Sequence, residues 1–508
     1  MDACRLRAAR WYEQNDLLLQ ALEQYETMQD RESIRGLLIR NAMKHPGAGC
    51  YFELRKYYLA LPEEEVSASP VLMAALCMLC SILTDTKKSE MWYARLKEYT
   101  RQTHGVDRRE AMTLLYTLDI TLPHRGTGNM VELLKNMSAH LLQTGTVLPP
   151  LSLTNNCPSL MNGGKDFCPW SKQDEFLAAT IGGMLERMMG TSGIGLVQAA
   201  LGESRYEKGC DSYNVLTCLT RSRNQCEHKG TPEMMFVSIG LQARLAAYTG
   251  EMEEARAALH GMEKQALQDN CPRLLPGIHA LRCRLMLMQN DLQHIGEWMA
   301  SAPDEHDSFC IMDRYLYMTK IRCYLALGQT LPAIALLERM QSYAVQYDRS
   351  YIAMECGLLM AIARKRSGQP WQEDLQNTLA QLADFSFVRM IAEEGAAILP
   401  LLTAVYAGFC AAYPQYHDWL DNVLKETEGV ARRYPNYLIG SGVDVSDFTE
   451  TALAVLRLQA VGYTTKEIAD RLHIAQSTVK YHSRENYRKL GARDLVDAVQ
   501  IAQSMHLL

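Results

Sequence analysis

The chain has 508 residues, a net charge of −6 and 48% hydrophobic residues. That length exceeds one ordinary core and requires several domains or a long repeat array, and the apolar share excludes wholesale disorder. The slight acidity excludes a protein coated with nucleic acid over its whole surface, so any DNA contact must be local.

Leu, Ala, Met, Arg and Glu dominate the periodic segments, and alternating β-branched runs are scarce, which predicts an all-α fold. The N-terminus, Met1-Asp-Ala-Cys-Arg-Leu-Arg7, has no apolar signal-peptide core. The longest apolar run, Val71 to Leu83, is too short to span a bilayer, and no membrane partner is expected. Fifteen scattered cysteines, an odd number, suit a reducing cytoplasm. Cys77 and Cys80 form a C-x-x-C within an apolar helix and lack a second pair or a nearby His, so core packing is expected rather than metal binding.

Residues 1–143 read as helical hairpins: a pair over 4–26, a helix over 31–44, a segment 51–60 stopped by Leu61-Pro62, and helices over 71–83 and 89–100. Residues 144–172 are rich in Gly, Pro, Ser and Asn, and a structureless loop of this length is uncommon and often functional. It is expected to be an ordered surface loop that packs Leu160, Phe167 and Trp170 onto the helices. Residues 173–433 repeat. Junctions fall at Gly209, Gly250, Asn290, Gly328 and Gly368, spaced 41, 40, 38 and 40 residues apart. Small residues such as Ala246 and Ala326 let paired helices approach, and Ala255 or Ala333 begins the return packing. This is the logic of tetratricopeptide-like repeats, which stack into a superhelix with a concave groove. Tyr434-Pro435, Gly440-Ser-Gly442 and Asp444 then break the pattern, so residues 434–447 read as a linker.

The tail, 448–508, reads as four short helices. The first covers 450–461 and stops at Gly462, with Thr449 or Asp447 as its cap. The second covers 466–472, with Ile468, Ala469 and Leu472 on one face. A turn around Ile474 leads to a third helix from Gln476 to Leu490. Two helices joined by so short a turn form a helix-turn-helix, whose second helix fits a DNA major groove. Val479, Ser483, Asn486 and Leu490 form one stripe of the third helix; Ser477, Lys480, Tyr481, Arg484 and Arg488 form the other. The last helix covers 493–503, with Leu495, Ala498, Val499 and Ala502 spaced for burial. Residues 440–508 hold eight Lys/Arg and eight Asp/Glu, but from Gln476 to Arg493 there are five basic residues against Glu485 alone.

Phe448-Thr449, Val455-Leu456, Gly462, Lys466-Glu-Ile-Ala469, Thr478-Val-Lys480, His482 and Lys489-Leu-Gly491 resemble the LuxR-type DNA-binding domain of bacterial transcription regulators. The resemblance places Lys480, Tyr481 and Arg484 in the groove and assigns phosphate contacts to Thr478, Lys489 and the early helix with Lys466. It implies double-stranded DNA as partner and a homodimer on DNA. The sequence departs from that family at Ala452 and Ala454, where acids are usual, and at Asn486, where a branched apolar residue is usual. It departs again at Ala475, which cannot cap the third helix through its side chain; Ser477 is the alternative cap if that helix starts later. Ala9-Arg-Trp-Tyr-x-x-Asn15, Ala21 and Ala60-Leu-Pro62 resemble the segment that follows the ATPase and winged-helix modules in large MalT-like regulators. Those relatives begin with a nucleotide-binding module. Here no G-x-x-x-x-G-K-[ST] occurs, and Gly163-Gly164-Lys165-Asp166 and Gly190 to Gly195 read as turns.

No zincin or G-x-S-x-G pattern occurs, so no catalytic residue, metal or cofactor is expected. The expected function is a cytoplasmic transcription regulator: a helical-repeat region taking a small-molecule or protein effector in its groove, joined to a DNA reader. The alternative is a helical-repeat interaction scaffold without sequence-specific DNA binding.

Overall fold

The computed structural model describes residues 2–44, 51–144, 148, 152–305, 309–439, 448–490, 492, 494–495, 498–499 and 502. No strand occurs among them, and an antiparallel bridge from Asn162 to Asp166 lies inside a loop.

The N-terminal helices begin with the hairpin Asp2–Gln14 and Leu18–Thr27. Pro70–Ile82 starts well for local reasons: the Ser69 side chain accepts from the Leu72 amide, and Pro occupies the first helical position. Almost every side chain of this helix is buried, Cys77 and Cys80 included. Its core is shared with a distant part of the chain. Leu72 and Leu79 lie in one hydrophobic cluster with Ile321, Leu337 and Tyr347, and the Tyr347 hydroxyl donates to the Ser81 carbonyl at 2.5 Å. The helical hairpins of 1–143 therefore share buried residues with the later repeats.

The repeats form hairpins from Leu196–Glu207 with Ser212–Lys229 to Gly395–Ala412 with His417–Arg433. Gly209, Gly250, Asn290, Gly328 and Gly368 all take positive φ, between +56° and +102°, so each expected junction reverses through a left-handed residue. Ala255 and Ala333 are fully buried where the return helices meet their partners. The array curls until its end meets its beginning. The Val388 amide donates to the Glu207 carbonyl at 2.7 Å, and the Tyr434 hydroxyl to the Ala247 carbonyl at 2.6 Å. Of the linker expected over 434–447, Tyr437 and Leu438 are buried on the array, and residues 440–447 lie outside those described.

Pro70–Ile82 is too short to cross a membrane, as expected of Val71–Leu83, and among the described residues Gly395–Ala412 is the helix long and apolar enough to do so by length and composition. Here Ile398, Leu401, Leu402, Val405 and Phe409 bury one face of it in the shared core.

The loop expected on the surface is inside the molecule. Residues 152–168 run through the interior of the curled array, and Asn162, Lys165 and Asp166 are each less than 5% exposed. Segments without regular structure are usually kept at the surface because their backbone polar groups need water. Here side chains from the array replace that water. Arg314 donates to the carbonyls of Asn162 at 2.7 Å, Gly163 at 2.6 Å and Thr154 at 3.1 Å. Arg349 donates to the carbonyls of Gly163 at 2.7 Å and Gly164 at 2.9 Å. The Glu203 carboxylate accepts from the Leu160 and Met161 amides and from the Ser159 hydroxyl. Glu233 accepts from Ser152. Close approach also needs missing side chains: a Cβ on Gly277 would stand 2.6 Å from the Asn156 carbonyl oxygen, and one on Gly240 would stand 2.7 Å from Pro158.

Lys165 reaches the Asp119 carbonyl at 2.5 Å, and burial lowers its pKa from 10.5 to about 7, against the pull of Asp119. Between those two values the unfolded chain holds a proton that buried Lys165 lacks, so this residue makes stability rise with pH across that window and has no further effect below it. The urea midpoint of the wild-type chain should therefore rise relative to Lys165→Met between pH 7 and pH 9.5; parallel profiles would contradict the burial of a neutral lysine.

Candidate nucleic-acid interface

Two small clusters hold the tail together. Phe448, Ala452, Leu456, Leu490, Ala498 and Ala502 make one; Val455, Ile468, Ala469 and Val479 make the other. The first helix, Glu450–Ala460, is capped by Thr449, whose side chain accepts from the Ala452 amide at 3.2 Å. Asp447, the other candidate cap, lies outside the described residues. The second helix, Thr465–Leu472, opens with a capping box that the pattern Thr464-x-x-Glu467 encodes. Thr464 accepts from the Glu467 amide, and the Glu467 carboxylate accepts from the Thr464 amide at 2.8 Å. The Thr464 amide and the Thr464 hydroxyl, which donates to the same carboxylate oxygen at 2.8 Å, hold the Glu467 carboxyl below its usual range. His473 ends the helix in the left-handed region at φ +54°, which turns the chain toward Gln476.

The third helix, Gln476–Leu490, begins with the Ala475 carbonyl, which accepts from the Val479 amide at 3.1 Å. Ala475 is thus the N-cap and has no side chain to offer; Ser477 lies within the first turn and does not cap a later start. Val479, Asn486 and Leu490 are buried, and Ser483 is half-buried. Gln459 donates to the Ser483 hydroxyl at 2.9 Å, and Asn486 Nδ2 donates to the Ala452 carbonyl at 2.8 Å. The departure at Asn486 is therefore a polar peg between the first and third helices.

The opposite face is open. Ser477, Lys480, Tyr481, Arg484 and Arg488 are all exposed, Tyr481 to 62%. Gln476 is exposed beside them, at the N-terminal end of the helix; its polar side chain in the first turn was the available signal. Thr478 is half-buried at the edge of this face, and Lys466 is exposed in the first turn of the second helix. Arg488 pairs with Glu485 at 2.8 Å on the surface. Lys489 belongs to the helix, but its side chain lies outside those described. Among the residues described beyond Leu490, Leu495 is 37% exposed, against the burial expected of it, whereas Ala498 and Ala502 are buried.

A short capped helix, a left-handed turn and a second helix with a buried apolar stripe and an open basic face define a helix-turn-helix DNA-binding domain. Comparison with known proteins matches two regions of the chain to known families. Residues 446–502 match the model for bacterial regulatory proteins of the luxR family, and residues 217–407 match that for the MalT-like TPR region. Over 56 residues the chain is 45% identical to the response regulator RamR of Streptomyces coelicolor, covering 11% of this chain and 28% of that protein. Over 79 residues it is 37% identical to the HTH-type transcriptional regulator MalT of Klebsiella pneumoniae, covering 15% of this chain and 9% of that protein. The matches thus span less than a third of the length of these relatives. This chain carries a MalT-like TPR region followed by a LuxR-family DNA-binding domain.

Giving the third helix a capping hydroxyl should stabilise its first turn. Ala475→Ser is expected to add about 1 kcal/mol of local stability, slowing exchange of the Thr478 and Val479 amides roughly fivefold; unchanged exchange would show that the turn is held by something other than its cap.

Proposed function

We propose that this chain is a DNA-binding transcription regulator whose third tail helix enters the major groove. The observation carrying this reading is the division of that helix: Val479, Asn486 and Leu490 face the core, while Ser477, Lys480, Tyr481 and Arg484 face solvent on one side. Lys480 and Arg484 lie one turn apart, and an Arg fork suits the two acceptors of guanine. Thr478, Lys466 and Lys489 contact phosphates in this reading. Arg488 joins them by giving up its surface pair with Glu485, a weak attachment in water. The repeat region, residues 173–433, acts as the sensor, the chain works in the cytoplasm, and two copies bind DNA together through the last helix, where Leu495 stands exposed.

Two titrations test this. Arg484→Ala should lose about 1–3 kcal/mol of discrimination between a selected operator and random duplex, whereas Lys466→Ala should weaken both nearly equally and reduce the salt slope by about one. Unchanged selectivity in Arg484→Ala would remove that residue from base reading. Absence of salt-dependent DNA affinity in the wild type would leave an interaction scaffold instead. A dimer predicts a footprint of two half-sites about one helical turn apart; one half-site protected at saturation would mean that a single copy binds.

A further inference from the structure

Beside the buried loop lies a cavity of about 120 Å³. Leu153, Leu160, Met161, Phe167 and Trp170 of the loop form one wall. The opposite wall comes from Leu177, Ala178, Ile181 and Leu185 and from Val197, Ala200 and Leu201 of the first repeat helix. Several of these apolar side chains, Leu177, Ile181, Leu185, Val197 and Leu201 among them, are only half-buried, so the cavity opens to solvent along this wall. Wet apolar surface of this kind is unfavourable by about 25 cal/mol per Å², which is the driving force for an apolar occupant.

The polar lining residues have little to offer a ligand. Glu203 accepts from Ser159, Leu160 and Met161. Asp174 is taken up by Lys208 at 2.8 Å and by the Ser204 hydroxyl. Ser171 donates to the Cys168 carbonyl. A polar or charged ligand would give up its hydration and meet groups already engaged. The backbone of one wall is also irregular. A π-turn over Ala178–Gly182 interrupts the helical run from Asp174 to Met188, and features of this kind recur at functional sites.

We propose that this cavity binds a small uncharged molecule, aromatic or hydrocarbon-rich. A dry cavity of ~150 Å³ accepts benzene, so the occupant here is about the size of a single ring. Glu203 connects the site to the loop, because the carboxylate at the cavity edge is the group holding the Leu160 and Met161 amides. An occupant fills the gap between loop and first repeat helix and steadies both. This deepens the proposed sensing role of the repeat region, but the binding itself needs no DNA.

The probe is toluene, with benzoate as its charged counterpart, added to the full-length chain without DNA. Toluene should raise the melting temperature in a concentration-dependent manner and slow amide exchange in residues 153–171 and 177–189. Benzoate should do neither. Ala178→Phe, which fills the cavity, should abolish the toluene effect; Ala200→Met, at the rim, serves if that variant does not fold. No shift at toluene saturation, an equal shift in the filled variant, or an equal response to benzoate would each overturn the assignment. Operator binding measured on the same wild-type sample keeps that failure separate from a failure of the regulator reading.

Discussion

The structure depends on one exchange of partners: the water that residues 152–168 would meet at a surface is replaced by Arg314, Arg349, Glu203 and Glu233. An irregular backbone buried without such partners would leave carbonyls and amides unsatisfied, each at a cost of about 1–3 kcal/mol. Burying the two guanidinium groups would be costly as well, and burial together with Arg314 presses the Arg349 pKa below its usual value. Each cost is offset in part because each group supplies what the other lacks, although Arg349 Nε has no partner among the described residues. The carbonyls need donors, the guanidinium forks carry several, and the Asp166 carboxyl, its pKa pushed up by burial, lies near Arg349.

This exchange explains why the repeat region is not an open groove. Helices from opposite ends of the array meet across it, the loop fills the middle, and the N-terminal helices share a core with the later repeats. The space left for an occupant is apolar and lies to one side of the loop. The tail is built differently. Its two clusters contain only residues from 448 onward, and its polar ties, Thr464 to Glu467, Gln459 to Ser483 and Asn486 to Ala452, set the helices within it.

Much of this was legible in the sequence because short-range patterns encode it. The positions of the left-handed junctions followed from Gly and Asn at a regular interval, and the two faces of Gln476–Leu490 followed from helical periodicity. The capping box Thr464-x-x-Glu467 also depends on only four residues, but the expected helix start at 466 passed over it. What was not legible was everything decided at long range. The loop composition of 144–172 signals turns, and turns are normally wet; its burial depends on Arg314 and Arg349, more than 140 residues away. Tyr437 and Leu438 likewise read as linker until the array presents a surface for them. Asn486 looked like a lapse in an apolar stripe because its partner is a backbone carbonyl on another helix, which no side-chain pattern reveals.

The buried loop also has a consequence for the order in which the molecule assembles. The loop packs closely against Gly277 and Gly240, and the helices carrying Arg314 and Arg349 close over a stretch made far earlier in the chain. Contacts of such sequence separation form late and slowly. A ribosome delivers residues 152–168 and their acidic partners Glu203 and Glu233 first, and the carbonyls that meet Arg314 and Arg349 wait until roughly the first 350 residues have emerged. Synthesis from the N-terminus therefore presents the loop to its carboxylate partners before its guanidinium partners.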